Sequence, residues 1–136
     1  MINSKYYQAQ EDGIEVSMSF FLDLDKLNMN IYEFSKILGI LLDNAIEAAR
    51  DSKEKIINIT FRREFNKHRD IVLIENSYSN KDVNIDEIYK KGYSGKENHT
   101  GLGLWEIHKF LSRNKNLNLY TSKNYDLFSQ QFEIYF

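Results

Sequence analysis

Ile40-Leu41-Leu42-Asp43-Asn44-Ala45-Ile46-Glu47-Ala48-Ala49 is the stretch on which the reading of this chain turns. It lies within a segment from about Ile31 to Asp51 whose apolar residues recur at helical spacing. Asn30 followed by Glu33 supplies a capping pair at its start. At ~100° per residue, Phe34, Ile37, Leu38, Leu41, Leu42, Ala45, Ile46, Ala48 and Ala49 fill one broad arc, a core face. Lys36, Asp43, Asn44, Glu47 and Arg50 take the remainder. On most amphipathic helices such a remainder is simply solvated. Two details point elsewhere. Ile40 projects into the polar arc, between the directions of Asn44 and Glu47, where a freely solvated helix gains little from it. Asn44 sits at the edge of the apolar arc, where its amide is partly desolvated and needs partners. An apolar residue flanked by an amide and two carboxylates describes a cleft wall. Amide and carboxylate oxygens are hard ligands suited to Mg²⁺, which keeps several waters and shares its shell with phosphates.

Around this helix the pattern is that of strands. Ile14, Val16, Met18 and Phe20 alternate with polar residues, the mark of a half-buried strand, while residues 1–12 show no clear period. Ile56–Arg63 and Ile71–Glu75 read as a hairpin about a polar turn, Phe65–Arg69. Leu117–Ser122 and Leu127–Phe136 pair across a turn at residues 123–126. Residues 76–100 are polar, with one helical turn near Ile85–Lys90, and a second helix follows Gly103 to about Arg113–Asn114. Five strands, two main helices and a loop of about 25 residues predict an α+β fold, with a mainly antiparallel sheet and helices on one face. A loop of that length is more often functional than idle.

Composition narrows the function. The chain has 136 residues, which fits one domain. Eighteen basic against 20 acidic residues leave no broad basic surface, so no nucleic-acid partner is expected. With no cysteine, thiol catalysis and Cys-zinc sites are excluded. His68, His99 and His108 are too dispersed for a local metal motif. The longest apolar cluster, Ile37–Leu42, is interrupted by Gly39 and ends at Asp43; it is far short of the roughly 18 residues of a membrane span. A soluble, cytoplasmic piece without direct membrane contact is expected.

The second candidate element is Gly92-Tyr93-Ser94-Gly95-Lys96, followed by His99-Thr100-Gly101-Leu102-Gly103-Leu104 opening into the later helix. Free amides at a helix start form an anion site, and glycines allow phosphate oxygens to approach. Lys91 and Lys96 would add charge from the loop. A plain connector would also use such glycines for turns and a cap. The stretch is not a P-loop, because Glu97 follows Gly95-Lys96. It is not a dinucleotide fingerprint either, since Glu106 fills the third small position. Beyond it Leu104, Ile107, His108 and Leu111 follow core spacing, which places His108 on a packed face.

Together these residues resemble the ATP-binding domain shared by gyrase, heat-shock chaperones, sensor histidine kinases and mismatch-repair proteins, the GHKL superfamily. Residues 40–49 look like its asparagine box, Gly92–Lys96 is similar to its lid motif, and Gly101–Leu104 matches its last glycine box. The wording of Ile37–Ala48 is closest to peptide-pheromone (quorum-sensing) receptor kinases of the accessory-gene-regulator type. The resemblance implies a two-layer α/β sandwich of the Bergerat type, with a mixed, mostly antiparallel sheet, helices on one face and a long ATP lid. It implies ATP and Mg²⁺ as cofactors. Asn44 would hold the metal, and Asp43 and Glu47 stand beside it. Ser94 and Lys96 would act from the lid, and Gly101, Leu102, Gly103 and Leu104 would cradle the phosphates.

Two departures matter. The superfamily reads adenine with an Asp-x-Gly-x-Gly sequence after the second hairpin strand, where this chain has Glu75-Asn76-Ser77-Tyr78-Ser79. Strand alternation aligns Asn76 with that Asp, with Glu75 as second choice. An amide accepts without charge assistance, so nucleotide affinity is expected in roughly the high-micromolar range or weaker. Secondly, Ile40 stands where hydrolysing relatives and anti-sigma serine kinases have a Glu that activates a water or hydroxyl. A neutral imidazole needs no such base near pH 7.

The expected activity is therefore donation of the γ-phosphoryl of Mg-ATP to a histidine on a separate dimerisation domain. A response regulator would be the next partner, and the parent a plasma-membrane receptor of a low-GC Gram-positive bacterium. Residues 1–12 are expected to be a linker from that upstream region, and 13–136 the catalytic domain. Alone, the piece should not autophosphorylate. The alternatives are a stand-alone anti-sigma-factor serine kinase, or a degenerate interaction module poor in nucleotide binding.

Overall fold

The computed structural model describes residues 2–79 and 102–136. The expected lid residues Ser94 and Lys96, with Gly101, lie outside this range. The elements run α1 (Ile2–Glu11), β1 (Glu15–Phe21), α2 (Ile31–Arg50), β2 (Ile56–Glu64), β3 (Arg69–Asn76), α3 (Leu102–Leu111), β4 (Leu117–Lys123) and β5 (Phe128–Tyr135).

α2 starts where its cap predicts. Asn30 is extended, and its Oδ1 accepts from the Tyr32 amide at 2.8 Å and the Glu33 amide at 3.3 Å. A cap of this kind contributes about 1 kcal/mol. The sheet order is β1-β2-β3-β5-β4. β1 pairs with β2 in parallel across the α2 crossover, and the other neighbours are antiparallel. The mixed sheet and its two hairpins agree with the sequence reading. Helices cover one face, where Phe34, Ile37, Leu38, Leu41 and Ile46 of α2 and Ile107 of α3 join Ile57, Ile59, Phe61, Val72, Ile74, Phe132 and Ile134 of the sheet in one core. Phe34 stacks on Phe132 at 6.4 Å between ring centroids.

Three local expectations change. Residues 2–11, without evident period in the sequence, form α1, which packs beside α2 with Ala9 fully buried. Its inward stripe is Ile2, Tyr6 and Ala9, and only the tertiary contact shows that Tyr6 serves as an apolar member of that stripe. β1 is less covered than its alternation suggests: Ile14 and Val16 pack inward, but Met18 and Phe20 are 41% and 44% exposed. β1 is the sheet edge, and its far end extends past the ten-residue α1, leaving Phe20 to rest on Phe61 at 4.8 Å. His108 is exposed rather than packed, because the core covers α3 on the side of Leu104, Ile107, Phe110 and Leu111.

The opposite sheet face carries a lattice of charge. Arg69 donates through Nε to Glu64 at 2.7 Å, and through Nη1 to Glu133 at 2.6 Å. Glu133 also accepts from Asn118 at 2.8 Å and Gln131 at 2.6 Å. By register Ile71 lies between Arg62 and Glu133, and the long side chains bury it completely. The Arg69 hydrogen bond holds the Glu64 carboxyl below its ordinary range, against the opposing effect of burial. A depressed carboxylate pKa contributes stability above the unfolded value, about 4.3, and that contribution disappears as pH falls through the lower folded value. Thermal melts of wild type and Glu64→Gln should therefore differ at pH 7, and the difference should shrink as pH falls below the ordinary carboxyl range.

At the end of the sandwich marked by the β2–β3 turn, Arg63 grips Asp70 with two bonds, Nε–Oδ1 at 2.7 Å and Nη2–Oδ2 at 2.9 Å. Asp70 is fully buried, and the guanidinium lies over the Phe136 ring at 4.3 Å.

Candidate functional site

The polar stripe of α2 lies in a groove between two other helices. A cleft of about 390 Å³ is lined by Ile40, Asp43, Asn44, Glu47 and Arg50 of α2, Gln8 of α1 and Gly103 of α3. Asp43, Asn44, Glu47 and Gly103, singled out from sequence at positions up to sixty residues apart, thus share one space. Gln8 and Arg50 were not anticipated as lining residues. Arg50 carried a signal, since it belongs to the same polar arc; Gln8 carried none that a single sequence displays.

Asn44 has the least satisfied chemistry in this cleft. Its Nδ2 is buried and has no hydrogen-bond partner among the described residues. A buried amide N–H group without a partner costs about 1–3 kcal/mol, so the fold gains no stability from this side chain's polarity. A half-turn of the amide exchanges Oδ1 and Nδ2, so the side chain can serve either a cation or a phosphate oxygen. Asp43 is half-exposed and tied to Lys5 of α1. Arg50 pairs with Asp12 at 3.5 Å.

Gly103 closes the opposite wall. A Cβ on it would sit 2.8 Å from Cγ2 of Ile40. That methyl belongs to a β-branched side chain with little rotamer freedom on a helix. The close approach of α3 to α2 therefore requires a glycine here, and it brings the start of α3 to the mouth of the cleft. Leu104, next along, packs its side chain against the core. A direct test uses the sign of a stability change. Gly103→Ala should lower the thermal midpoint in the wild-type background and raise it in an Ile40→Ala background, where the helix gain of up to about 1 kcal/mol over glycine is no longer opposed by the clash.

Asn76 stands apart. It shares the inward face of β3 with Val72 and Ile74, as alternation predicts, and is almost fully buried, but it does not line the cleft. Its Nδ2 donates to the Ser77 carbonyl at 2.9 Å. Ser77 Oγ is engaged in turn with Ser52 Oγ at 2.7 Å and accepts from the Ile56 amide at 2.8 Å. This buried knot joins the end of β3 to the start of β2 and the turn after α2. Among the described residues there is no cluster of three or more His, Asp or Glu side chains arranged for a metal. A cation here would depend on Asn44 and on oxygens that a ligand brings, which is how Mg²⁺ is commonly held.

A family model described as the GHKL domain matches residues 29–135. The chain belongs to the GHKL domain family. Among solved structures, this GHKL domain is similar to the catalytic domain of the histidine kinase ThkA, with TM-score 0.69 and 23% identity over 98% of this chain and 89% of that one. It is also similar to full-length ShkA in complex with AMPPNP (TM-score 0.70, 17% identity, 98% of this chain and 30% of that one). The histidine kinase AdeS of Acinetobacter baumannii gives TM-score 0.66 at 16% identity, covering 98% of this chain and 64% of that one. At these identities the likeness establishes a shared two-layer α/β fold. No curated protein matches the chain. Among the described residues of the GHKL domain, no helix is long and apolar enough to cross a membrane.

Proposed function

We propose that this GHKL domain binds Mg-ATP and serves as the phosphoryl-donor part of a two-component sensor kinase, with the acceptor histidine on a separate dimerisation domain. The observation that carries the reading is Asn44, a buried amide without a partner, set in a cleft whose far wall is a glycine-permitted helix start. Both features fit a nucleotide and its metal. Bound ATP would supply the phosphoryl group, and Mg²⁺ the charge neutralisation that phosphoryl transfer requires.

The chain's own residues then divide the work. Asn44 would hold the metal, Gly103 and the first α3 amides would receive phosphate oxygens, and Ile40 keeps the adjoining wall apolar. Lys96, Ser94 and Gly101 are assigned to the same site from sequence alone. Asn76 is the adenine-reading candidate, acting from the buried end of β3. Ile40 places no carboxylate four residues before Asn44, which suits an imidazole acceptor better than water or a hydroxyl. None of the described histidines lines the cleft, which supports an acceptor outside this domain. The parent is read as a membrane receptor for a peptide pheromone, with a response regulator downstream.

The experiment mixes this domain with Mg-ATP labelled in the γ position and the separately produced dimerisation hairpin of its parent. Acid-labile, alkali-stable label should appear on the hairpin, and none on the domain incubated alone. A second reading, a module poor in nucleotide binding, draws on Asn76, which offers an uncharged acceptor and does not line the cleft. It prevails if calorimetry with Mg-ATP gives no heat even at millimolar nucleotide.

A further inference from the structure

Helix α1 is fastened to α2 in a single register. Lys5 pairs with Asp43 and Asp12 with Arg50, and both pairs join residues 38 positions apart. A constant offset means that the two segments run parallel over about two helical turns, close to 10 Å. Between these fastenings the exposed Gln8 is carried to the edge of the cleft that holds Asn44. Its amide makes no hydrogen bond among the described residues, so both of its donors and its acceptor are free. An apolar groove lies under α1, and Ile2, Tyr6 and Ala9 seal it against Leu42 and Ile46 of α2, which holds the helix against rotation.

We propose that Gln8 is a nucleotide-binding residue, with α1 as a wall of the site and Lys5 as the positioning residue that keeps Gln8 in place. This rests on the nucleotide reading of the cleft. The local charge supports it. Asp43 and Glu47 both face the space that a polyanion must enter, and Lys5 offsets the first of them while Gln8 adds a hydrogen-bonding group without further negative charge. An amide can donate to a phosphate or ribose oxygen and accept from a hydroxyl, whereas a carboxylate at the same place would repel the phosphates. Lys5 is also the link through which a shift of α1 reaches the residue next to Asn44.

The test is titration calorimetry of the domain with Mg-AMPPNP and with adenosine, paired with thermal melts without nucleotide. Gln8→Ala should weaken AMPPNP binding by about three- to ten-fold, the range set by one net hydrogen bond. Its melting temperature should not change, because the side chain is exposed and touches no partner. Gln8→Glu should weaken AMPPNP more than adenosine. Lys5→Ala should weaken binding as well, and Lys5→Arg should restore it, since an arginine also reaches Asp43. If Gln8→Ala binds AMPPNP within twofold of wild type, Gln8 is no ligand and the inference is overturned while the nucleotide reading stands. If wild type shows no binding of either compound, both are overturned together.

Discussion

Asn44→Ala should raise the melting temperature of the ligand-free domain by a few degrees while lowering Mg-ATP-dependent phosphoryl transfer at least ~100-fold. The two effects share one cause. The Asn44 Nδ2 is buried without a partner among the described residues, a penalty of about 1–3 kcal/mol that alanine removes. Alanine is also the better helix former in the interior of α2, by up to ~0.7 kcal/mol. On the proposed reading the function lost is an oxygen ligand for the cation that would accompany the nucleotide, and removing one pre-organised electrostatic contact of this kind costs about 10²–10³ in rate. Stability gained where activity is lost is the signature of a functional position. Asn44→Asp separates the contributions. It keeps the shape and adds charge beside Asp43 and Glu47, so nucleotide binding should weaken further as Mg²⁺ is withdrawn. If Asn44→Ala transfers phosphate at the wild-type rate, the metal assignment is wrong. If Asn44→Ala melts well below wild type, the amide has a partner in solution and the argument from its burial fails.

Asp70→Ala should destabilise the domain by about 3 kcal/mol, the lower end expected for breaking a buried ion pair, and lower its melting temperature by roughly 10 °C. Asp70 is fully buried and accepts two bonds from Arg63. Without it the guanidinium keeps, among the described residues, the Lys26 carbonyl at 3.3 Å, the faces of Phe65 and Phe136 and the more distant charge of Asp23. Because Arg63 retains some solvent contact, the loss should stay short of the ~5 kcal/mol of a wholly buried charge. The Arg63→Ala/Asp70→Ala double variant should lose less than the sum of the two single losses, since it removes both members of the pair. Additive losses in urea melts would mean that the two residues act independently. The clamp stands at the β2–β3 turn, so Mg-ATP binding by the folded fraction should be unaffected.

Asn76 illustrates a limit of the sequence. Its side of the strand was legible from alternation, but its engagement with Ser77 and the Ser52–Ser77 knot was not, because those bonds join the ends of separate elements. His108 fitted core spacing on paper and is exposed in the fold, since spacing says which residues share a face but not how wide a face the neighbour covers.

By itself, the sequence determined α2, its Asn30 cap, its apolar arc and the interruption of its polar arc by Ile40. It determined also the two hairpins. These are consequences of periods of two and 3.6 and of local capping, which act over a few residues. Only the tertiary structure decided that β1 lies parallel at the sheet edge and that α1 exists as a packed helix. It alone decided that Gln8, Arg50 and Gly103 meet around Asn44. Such placements depend on which side chains fill the space between elements far apart in the chain, as where Ile40 leaves no room for a Cβ on Gly103 and in the matched Lys5–Asp43 and Asp12–Arg50 pairs. Local preference carries no information about those distances; close packing does.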